Sequence, residues 1–380
     1  MTHFKNPIQS REEFEKKEAA FLAPYAALST KSRGRVYKQS EHPLRTAFQR
    51  DRDRIVHSAA FRRMEYKTQV FIPHESDHFR TRLTHTIEVA QISRTLARSL
   101  GLNEDLAEAI ALVHDLGHTP FGHAGEDVLN ELLKDCGGFN HNRQSLRVVD
   151  LLERRYPEHP GLNLTYEVRE GIVKHETKVR ISMPEFGADE RPTFEASLVD
   201  IADEIAYNAH DIDDGLSSGI VSIAELMQTG FMKSIGKDLN ADIQDKDKYR
   251  YAIVRRIIDR LVGDVLEETS HRILKNEIRS IAGVRSANEK ICSYSNRMIG
   301  NVVEIKSFLF QNLYRHPEME KHSKHAEKII EKLFLEFIKD VKHLPKSYQM
   351  RLKEDKKQFV VADYIAGMTD RFAEKIFESI

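Results

Sequence analysis

The stretch HDLGHTPFGHAGE, His114–Glu126, decides how the middle of this chain folds. Apolar residues at helical spacing before it predict a helix over about 103–116 that ends at a His–Asp pair. The glycines of residues 117–125 then predict a turn, after which the chain re-enters a helix at about Glu126. The chain has 18 histidines. Several are concentrated in and just after this stretch, where ordinary surface usage would have scattered them.

Two longer helices are predicted on either side of this stretch. Over residues 81–100, His85 shares one face with apolar residues three and four positions apart, so we expect His85 to point toward the interior. Residues 194–211 have a strong helical pattern that includes Asp203 on an apolar-looking face, where an unpaired carboxylate is costly. The sequence has no internal repeat and no convincing series of strands. We therefore predict an all-α fold.

Composition limits the class of protein. The 380 residues suffice for one large domain or two ordinary ones, and 40% hydrophobic with 31% charged residues suits a soluble globular protein. A net charge of -1 predicts no nucleic-acid or acidic-membrane partner from whole-molecule charge alone. Only Cys136 and Cys292 are present, so we expect no disulfide framework and a cytoplasmic location. The sequence has neither a secretory signal nor an apolar run long enough to span a membrane.

The chain divides into three predicted parts. Residues 1–60 read as an N-terminal basic arm with helices, residues 61–215 as a catalytic core, and residues 216–380 as a C-terminal helical region packed on that core. No flexible linker marks the break near Gly215. One continuous domain is therefore the alternative.

A metal site is predicted at four residues: His85, His114, Asp115 and Asp203. Imidazole nitrogens and carboxylate oxygens are ligands for Mn²⁺ and other divalent first-row transition metals, and also for Mg²⁺. Taken singly, each has an ordinary explanation, since a lone histidine on an apolar face is more often a core residue. Together with the histidine-rich turn, the set favours metal binding.

A pair for proton transfer is predicted at His123 and Glu126, whose spacing of three lets their side chains meet at the start of a helix. A carboxylate that accepts from one imidazole nitrogen leaves the other free for proton transfer. The alternative is that Glu126 is simply a glutamate at a helix N-terminus, where the helix dipole favours a negative charge. His141 could return to the same pocket or lie in solvent, and His118 could be a supporting partner or a catalyst.

Substrate contacts are predicted on two helices. Asp203, Tyr207 and Asp211 follow one another at steps of four, so an aromatic face and a second carboxylate share one side with the candidate metal ligand. The alternative for Asp211 is that it only begins the acidic turn with Asp213 and Asp214. Arg82, three residues before His85, suits a polyphosphate held at the metal. Further arginines that the sequence does not rank are Arg45, Arg50, Arg54, Arg62 and Arg63.

Longer strings resemble the HD-domain superfamily and, more narrowly, the deoxyguanosinetriphosphate triphosphohydrolase (dGTPase) family. Beside HDLGHTPFGHAGE, the strings are FRRMEYKTQVF (Phe61–Phe71), HFRTRLTHTIEVAQI (His78–Ile92), FNHNRQSLRVV (Phe139–Val149), DIADEIAYNAHDIDDG (Asp200–Gly215) and DYIAGMTDRFA (Asp363–Ala373). The resemblance covers most of the chain. It implies an HD-domain helical core with additional C-terminal helices.

The resemblance also implies roles for particular residues. The residues that match the family's metal ligands are His85, His114, Asp115 and Asp203. Those that match its catalytic residues are His123, Glu126 and His141. Those that match contacts to base, sugar or phosphates are Gln69, Val70, Arg82, Tyr207 and Asp211.

The resulting hypothesis is metal-dependent hydrolysis of deoxynucleoside triphosphates to deoxynucleoside and intact triphosphate, with no base preference assigned. His123 would donate a proton to the departing 5′-oxygen or act as a base. The resemblance further implies a homo-oligomer, often a hexamer, and in some members activation by a nucleotide or binding of single-stranded DNA. The alternatives are an HD-type nucleotidase or phosphodiesterase, and a non-catalytic protein that binds nucleotide or single-stranded DNA.

Overall fold

The computed structural model describes residues 8–69, 79–175, 183–187, 189–239 and 244–380. In these ranges the chain is built from α-helices and lacks a β-sheet, since its extended pairing is limited to isolated bridges. The all-α prediction is therefore confirmed. No helix of the described residues is long and apolar enough to cross a membrane.

The helices are numbered in chain order. They are α1 (Arg11–Phe21), α2 (Ala47–Val56), α3 (Ala59–Arg63), α4 (Arg82–Ser99), α5 (Glu104–Val113), α6 (Gly122–Leu132), α7 (His141–Arg147), α8 (Tyr166–Lys174), α9 (Phe194–Ser218), α10 (Ile223–Leu226), α11 (Gly230–Asp238), α12 (Lys246–Lys275), α13 (Ile281–Arg285), α14 (Asn296–Leu309), α15 (Pro317–Lys339), α16 (Lys346–Arg351), α17 (Lys357–Ala366) and α18 (Asp370–Ser379). Short 3₁₀ turns lie at Ser29–Lys31, Met64–Tyr66, Lys134–Cys136, Pro184–Phe186 and Val341–His343, and π-helical turns at Val148–Leu152 and Phe310–Tyr314.

Helices α4, α5 and α9 pack against one another at the centre of the molecule, with α2 on α5 and α12 on α9. Their starts are set by polar caps, because the side chains of Thr81, Asn103 and Thr193 accept from backbone N–H groups of the first turn. Their apolar faces then bury residues such as Val89 and Ile110, which are fully inaccessible to solvent. This packing fixes the faces from which the site residues project.

The turn after α5 depends on a close approach between backbones. A Cβ on Gly117 would lie 2.2 Å from the backbone nitrogen of Ser145 and 2.3 Å from the carbonyl oxygen of His141, so only glycine fits there. Phe121 then adopts a left-handed conformation, with φ of 61°, and α6 begins directly after it. The sequence predicted that this helix would begin at about Glu126, but it begins about one helical turn earlier, at Gly122. His123 consequently lies in the first turn of α6.

Two apolar clusters divide the core. The larger runs from residue 26 to residue 313 and includes side chains from all three predicted parts. The smaller surrounds α6 and joins it to α15, α17 and α18. Helix α9 crosses the boundary drawn at residue 215 and ends at Ser218. The three-part division stays a proposal.

Candidate active site

The predicted metal ligands come from the three central helices. His85 projects from α4, His114 and Asp115 follow the last residue of α5, and Asp203 projects from α9. His85, His114 and Asp115 have at most 4% of their surface exposed, whereas 22% of the Asp203 side chain is exposed. One open side is therefore available to a substrate.

The ligand atoms of these four residues converge. His85 Nε2 lies 2.9 Å from Asp203 Oδ1, and His114 Nε2 lies 3.3 Å from Asp115 Oδ1 and 3.8 Å from Asp203 Oδ1. Two ligands about 2.1 Å from one cation are about 3.0 Å apart at a right angle and about 3.4 Å apart at a tetrahedral angle. The observed separations suit a shared divalent cation.

His114 provides an independent test of whether a cation fits. Its Nδ1–H donates to the carbonyl oxygen of Ala111 over 2.6 Å, so its Nε2 carries a lone pair. That Nε2 is buried and has no hydrogen-bond partner among the described residues. Because buried polar atoms are rarely left without a partner, an ion at this point would satisfy it.

The electrostatics keep both carboxylates ionised. Burial alone would raise the pKa of Asp115, but His114, Arg82 and His118 hold the pKa well below the usual aspartate value. Burial is outweighed in the same way at Asp203, where His175 and His85 lower the pKa. The centre therefore presents negative charge to a cation.

Arg82 lies directly beside this cluster. Its Nη1 donates to Asp115 Oδ2 over 2.9 Å, and its Nε is buried without a hydrogen-bond partner in the described ranges. A buried guanidinium with unused donors at the edge of a cation site suits a phosphate oxygen. The other predicted arginines are engaged elsewhere: Arg45 with Asp53, Arg50 with Ser40, Arg54 with Leu162 and Asn163, Arg62 with His57, and Arg63 with Glu153.

The histidine loop, residues 118–126 together with His141, lies next to the metal ligands. Glu126 faces two imidazoles: His141 Nδ1 is 2.9 Å from each carboxylate oxygen, and His123 Nδ1 is 3.6 Å from Oε2. The ring of His118 stacks on that of His141 with centroids 4.0 Å apart, and its Nε2 lies 3.2 Å from Asp115 Oδ1. The loop thus connects to the ligand set through His118.

The two histidines that face Glu126, His123 and His141, differ in how far their side chains are exposed to solvent. The His123 side chain is 79% exposed, whereas that of His141 is 17% exposed. Glu126 is mostly buried, yet its hydrogen bonds to His123 and His141 outweigh that burial and lower its pKa. Glu126 is therefore an ionised acceptor for both rings. The better-held ring is His141, and the more accessible ring is His123.

Tyr207 and Asp211 lie further along α9, as their spacing predicted. The hydroxyl of Tyr314 donates to the Asp211 carboxylate and lies 2.9 Å from the Tyr207 hydroxyl. Burial raises the pKa of Asp211 to about 7, although its contact with Tyr314 opposes the shift. These three side chains form a polar cluster on the same face of α9 as Asp203.

Of the two predicted substrate residues that precede α4, one lies within the described residues and the other does not. Val70 lies outside the described residues. Gln69 is described, and its side-chain oxygen is buried without a hydrogen-bond partner in those ranges. The carbonyl oxygen of Gln69 lies 3.6 Å from the point that a Cβ on Gly122 would occupy, so Gln69 adjoins the start of α6.

Sequence reasoning missed several polar residues around the centre. His175 Nδ1 lies 2.6 Å from Asp200 Oδ1, and its Nε2 lies 3.6 Å from Asp203 Oδ2. The two carboxylates outweigh burial and raise the pKa of His175 well above the usual histidine value. The step of three residues from Asp200 to Asp203 was a usable signal. Tyr314 comes from a distant turn, and no spacing in the sequence indicated it.

Most of the site lies in a part of the chain that matches a known domain family. The chain matches the HD domain family over residues 82–208 and the Phosphohydrolase-associated domain family over residues 292–379. The first match includes all four predicted metal ligands.

Curated relatives match nearly the whole chain. A "Deoxyguanosinetriphosphate triphosphohydrolase-like protein" of Leptospira interrogans is 44% identical and covers 98% of this chain and 99% of its own length. Proteins of the same name are 46% identical in Geobacter sulfurreducens, over 96% of both chains, and 49% identical in Ralstonia nicotianae, over 93% of both chains.

Proposed function

This chain belongs to the family of deoxyguanosinetriphosphate triphosphohydrolase-like proteins and carries an HD domain, and from that premise we propose that it hydrolyses deoxynucleoside triphosphates to deoxynucleoside and intact triphosphate. Phosphohydrolase function follows from the family itself. The substrate and the bond that is cleaved are our proposal, and no base preference is assigned.

The observation that carries the proposal is the unpaired Nε2 of His114. His114 belongs to two groups of side chains close enough to hold a metal ion, one with His85 and Asp115 and one with His175 and Asp203. We propose that the four predicted ligands hold Mn²⁺ or Mg²⁺, although other first-row metals suit the same donors. A divalent cation held there lowers the pKa of a bound water and neutralises charge on phosphoryl oxygens. Arg82 would contact the same phosphates through its unused Nε–H.

The polar cluster on α9 supports a deoxynucleotide as the substrate. Tyr207 presents a ring one turn beyond Asp203, and Asp211 presents a carboxylate one turn further. In our proposal Tyr207 packs against the deoxyribose, and Asp211 accepts from the sugar 3′-hydroxyl. The Tyr314 hydroxyl, which already contacts Asp211, fills space beside the sugar. A ribose 2′-hydroxyl would then be disfavoured by close packing.

The histidine loop supplies the groups for proton transfer. In our proposal a water attacks the α-phosphorus, and His123 donates a proton to the departing 5′-oxygen. In this scheme Glu126 orients His123 and stabilises its protonated form, because the carboxylate lies 3.6 Å from Nδ1. The Nε2 of His123 would then be free for proton transfer to the substrate. His141, held more closely by the same carboxylate, is a further active-site residue in this scheme.

Product analysis tests the proposal. The purified full chain would be incubated with each deoxynucleoside triphosphate, singly and mixed, in the presence of Mn²⁺ or Mg²⁺, and the products would be separated by chromatography. Deoxynucleoside and intact triphosphate would support the proposed bond cleavage. Release of phosphate or pyrophosphate would favour an HD-type nucleotidase or phosphodiesterase. Salt-dependent binding of nucleotide or single-stranded DNA without turnover would favour a binding protein.

The oligomeric state and further binding partners are also proposed from the family resemblance. We propose that the chain assembles as a homo-oligomer, with a hexamer as the first arrangement to test by light scattering. A nucleotide activator and single-stranded DNA are further partners to test with the same preparation. Both cysteines are free, which supports a reducing cytoplasm as the compartment.

A further inference from the structure

A buried imidazole lies directly behind the metal ligand His85. His210, which projects from α9, has its Nδ1 3.3 Å from the Nδ1 of His85. The two rings meet nearly edge to face, and His210 is 2% exposed. On its other side, His210 Nε2 contacts the carboxylate of Glu88, which projects from α4. The order of the groups is therefore carboxylate, imidazole, imidazole, and then the metal centre.

One assignment of protons satisfies every contact in this series. If Nε2 of His85 is a ligand, it carries a lone pair, so the ring proton is on Nδ1. That N–H can donate only to a lone pair on His210 Nδ1, which puts the proton of His210 on Nε2. The Nε2–H of His210 then donates to the Glu88 carboxylate, which only accepts. Each hydrogen bond thus fixes the tautomer of the next ring.

The helices that supply the ligands also supply this support. Glu88 lies three residues after His85 on α4, and His210 lies seven residues, or two turns, after Asp203 on α9. The packing of α4 against α9 therefore brings ligands and supporting residues together in one step.

An arginine holds the outer end of the series. Arg80 Nε donates to Glu88 over 3.1 Å, and the same guanidinium donates to Asp213 over 2.9 Å and to Asp214 over 2.7 Å. The Glu88 carboxylate is therefore constrained, although 43% of its side chain is exposed. A constrained carboxylate keeps the orientation of His210 fixed.

We propose that His210 and Glu88 are positioning residues that fix the tautomer and raise the basicity of His85, and so set the affinity of the centre for a divalent cation. This inference rests on the proposed cation site, but it does not depend on which phosphate ester is cleaved. Loss of such an outer partner typically lowers metal affinity about 10- to 100-fold.

The test measures cation binding directly, on the full chain without nucleotide. Mn²⁺ affinity would be measured by titration calorimetry, and Co²⁺ would be added separately to record its visible absorption. We expect His210→Leu and Glu88→Ala to weaken Mn²⁺ binding about 10- to 100-fold. We also expect both to shift the Co²⁺ bands, because the ligand field of His85 changes. Gln91→Ala, at an exposed position of α4, is the matched control and should change neither measurement.

Conservative variants separate positioning from mere packing. A glutamine at position 210 offers an oxygen that can accept from His85 and an N–H that can donate to Glu88, so His210→Gln should recover most of the affinity lost in His210→Leu. Glu88→Gln keeps an acceptor for His210 without the charge and should be intermediate. Circular dichroism and the Tm would confirm folding, and Glu88 variants remain informative if a His210 variant unfolds.

The inference is overturned if folded His210→Leu and Glu88→Ala bind Mn²⁺ as tightly as the unmodified chain, or if the unmodified chain binds no divalent cation. Failure of the proposed function looks different. In that case the graded loss of cation affinity is observed, but product analysis detects no triphosphate.

Discussion

The proposed metal centre and the histidine loop carry different parts of the proposed chemistry and are built differently. His85 and His114 project from helices of the central core and are 1% exposed. His123 projects from the first turn of α6, and its side chain is 79% exposed. The proposed ligands are thus held by core packing before any cation or substrate arrives, whereas the exposed ring of His123 lies 3.6 Å from Glu126 and packs edge-on against the ring of His118.

This difference separates binding from chemistry. A group whose orientation is fixed by the core contributes whenever the protein is folded, so removal of a ligand should act on cation affinity. An accessible group can exchange protons with solvent and contact a bound substrate, so removal of His123 should act on turnover. Variants of the two regions test this separation.

The largest effect is expected for His114→Ala. This change removes the unpaired Nε2 from the centre of the ligand set, so the variant should lose stoichiometric Mn²⁺ binding and its turnover should fall to background. Metal content after dialysis and product formation would be measured together. His57→Ala, at an exposed histidine of the N-terminal half, should behave as the unmodified protein. A variant that keeps one bound Mn²⁺ would show that His114 is not a ligand.

The next effect is expected for His123→Ala. The variant should retain Mn²⁺ affinity, while kcat falls about 10²- to 10⁴-fold, the usual contribution of a general acid or base. His141→Ala provides the informative comparison, because both rings face Glu126. If His141→Ala has the larger loss of kcat and His123→Ala retains the full rate, the proton is transferred by the better-held ring instead.

The helices that carry the proposed ligands were predicted more accurately from the sequence than the turn that carries His123. Helices α4, α5 and α9 follow from local periodicity and caps, and the residues proposed as ligands lie on α4 and α9 or directly after α5. The start of α6 was misplaced because a left-handed Phe121 has no local signature, and the close approach of Gly117 to α7 is visible only in three dimensions. His210 and Glu88 were missed because each becomes meaningful only when α4 packs against α9.

A third effect concerns Asp211, which is buried near the proposed ligands. Nearby positive charges offset the cost of burying Asp115 and Asp203 but do not offset it at Asp211. Burial raises its pKa to about 7, whereas Asp115 and Asp203 have partners that hold their pKa values low. The folded protein therefore binds a proton that the unfolded chain releases near pH 4. Stability should fall as the pH rises from about 4 to about 7, by at most about 4 kcal/mol from this one group, and should then level off.

Asp211→Asn checks this sign. The variant keeps an acceptor for the Tyr314 hydroxyl but cannot ionise, so this part of the pH dependence should vanish and the variant should be the more stable protein near pH 7. Urea unfolding of metal-free protein between pH 4 and pH 7.5 would measure the difference. Asp135→Asn, at an exposed aspartate, should leave the dependence unchanged. Parallel curves for Asp211→Asn and the unmodified chain would contradict the assignment.

The smallest effect concerns Asp370, through which the C-terminal helices contact the histidine loop. The Asp370 carboxylate is buried at the start of α18 and accepts from the backbone N–H of Phe121 over 2.9 Å and from that of Thr68 over 2.7 Å. Lys67 strengthens the same junction, because its Nζ donates to the carbonyl oxygens of His118 and Ala366. The turn that carries His123 is thus held in place by residues of the C-terminal helices.

Asp370→Asn should therefore reduce kcat without reducing Mn²⁺ affinity. The asparagine amide has no charge and one acceptor oxygen fewer than the carboxylate, so the hydrogen bond to the backbone N–H of Phe121 weakens. His123, which lies two residues after Phe121 in the chain, is then displaced. We expect a loss of about tenfold, or about 1.4 kcal/mol in the barrier, because the catalytic group is displaced and not removed. Asp127→Asn, at an exposed aspartate of α6, is the matched control. If Asp370→Asn instead loses Mn²⁺ in proportion to its activity, the C-terminal helices support the metal centre as well as the loop, and the two regions are not independent.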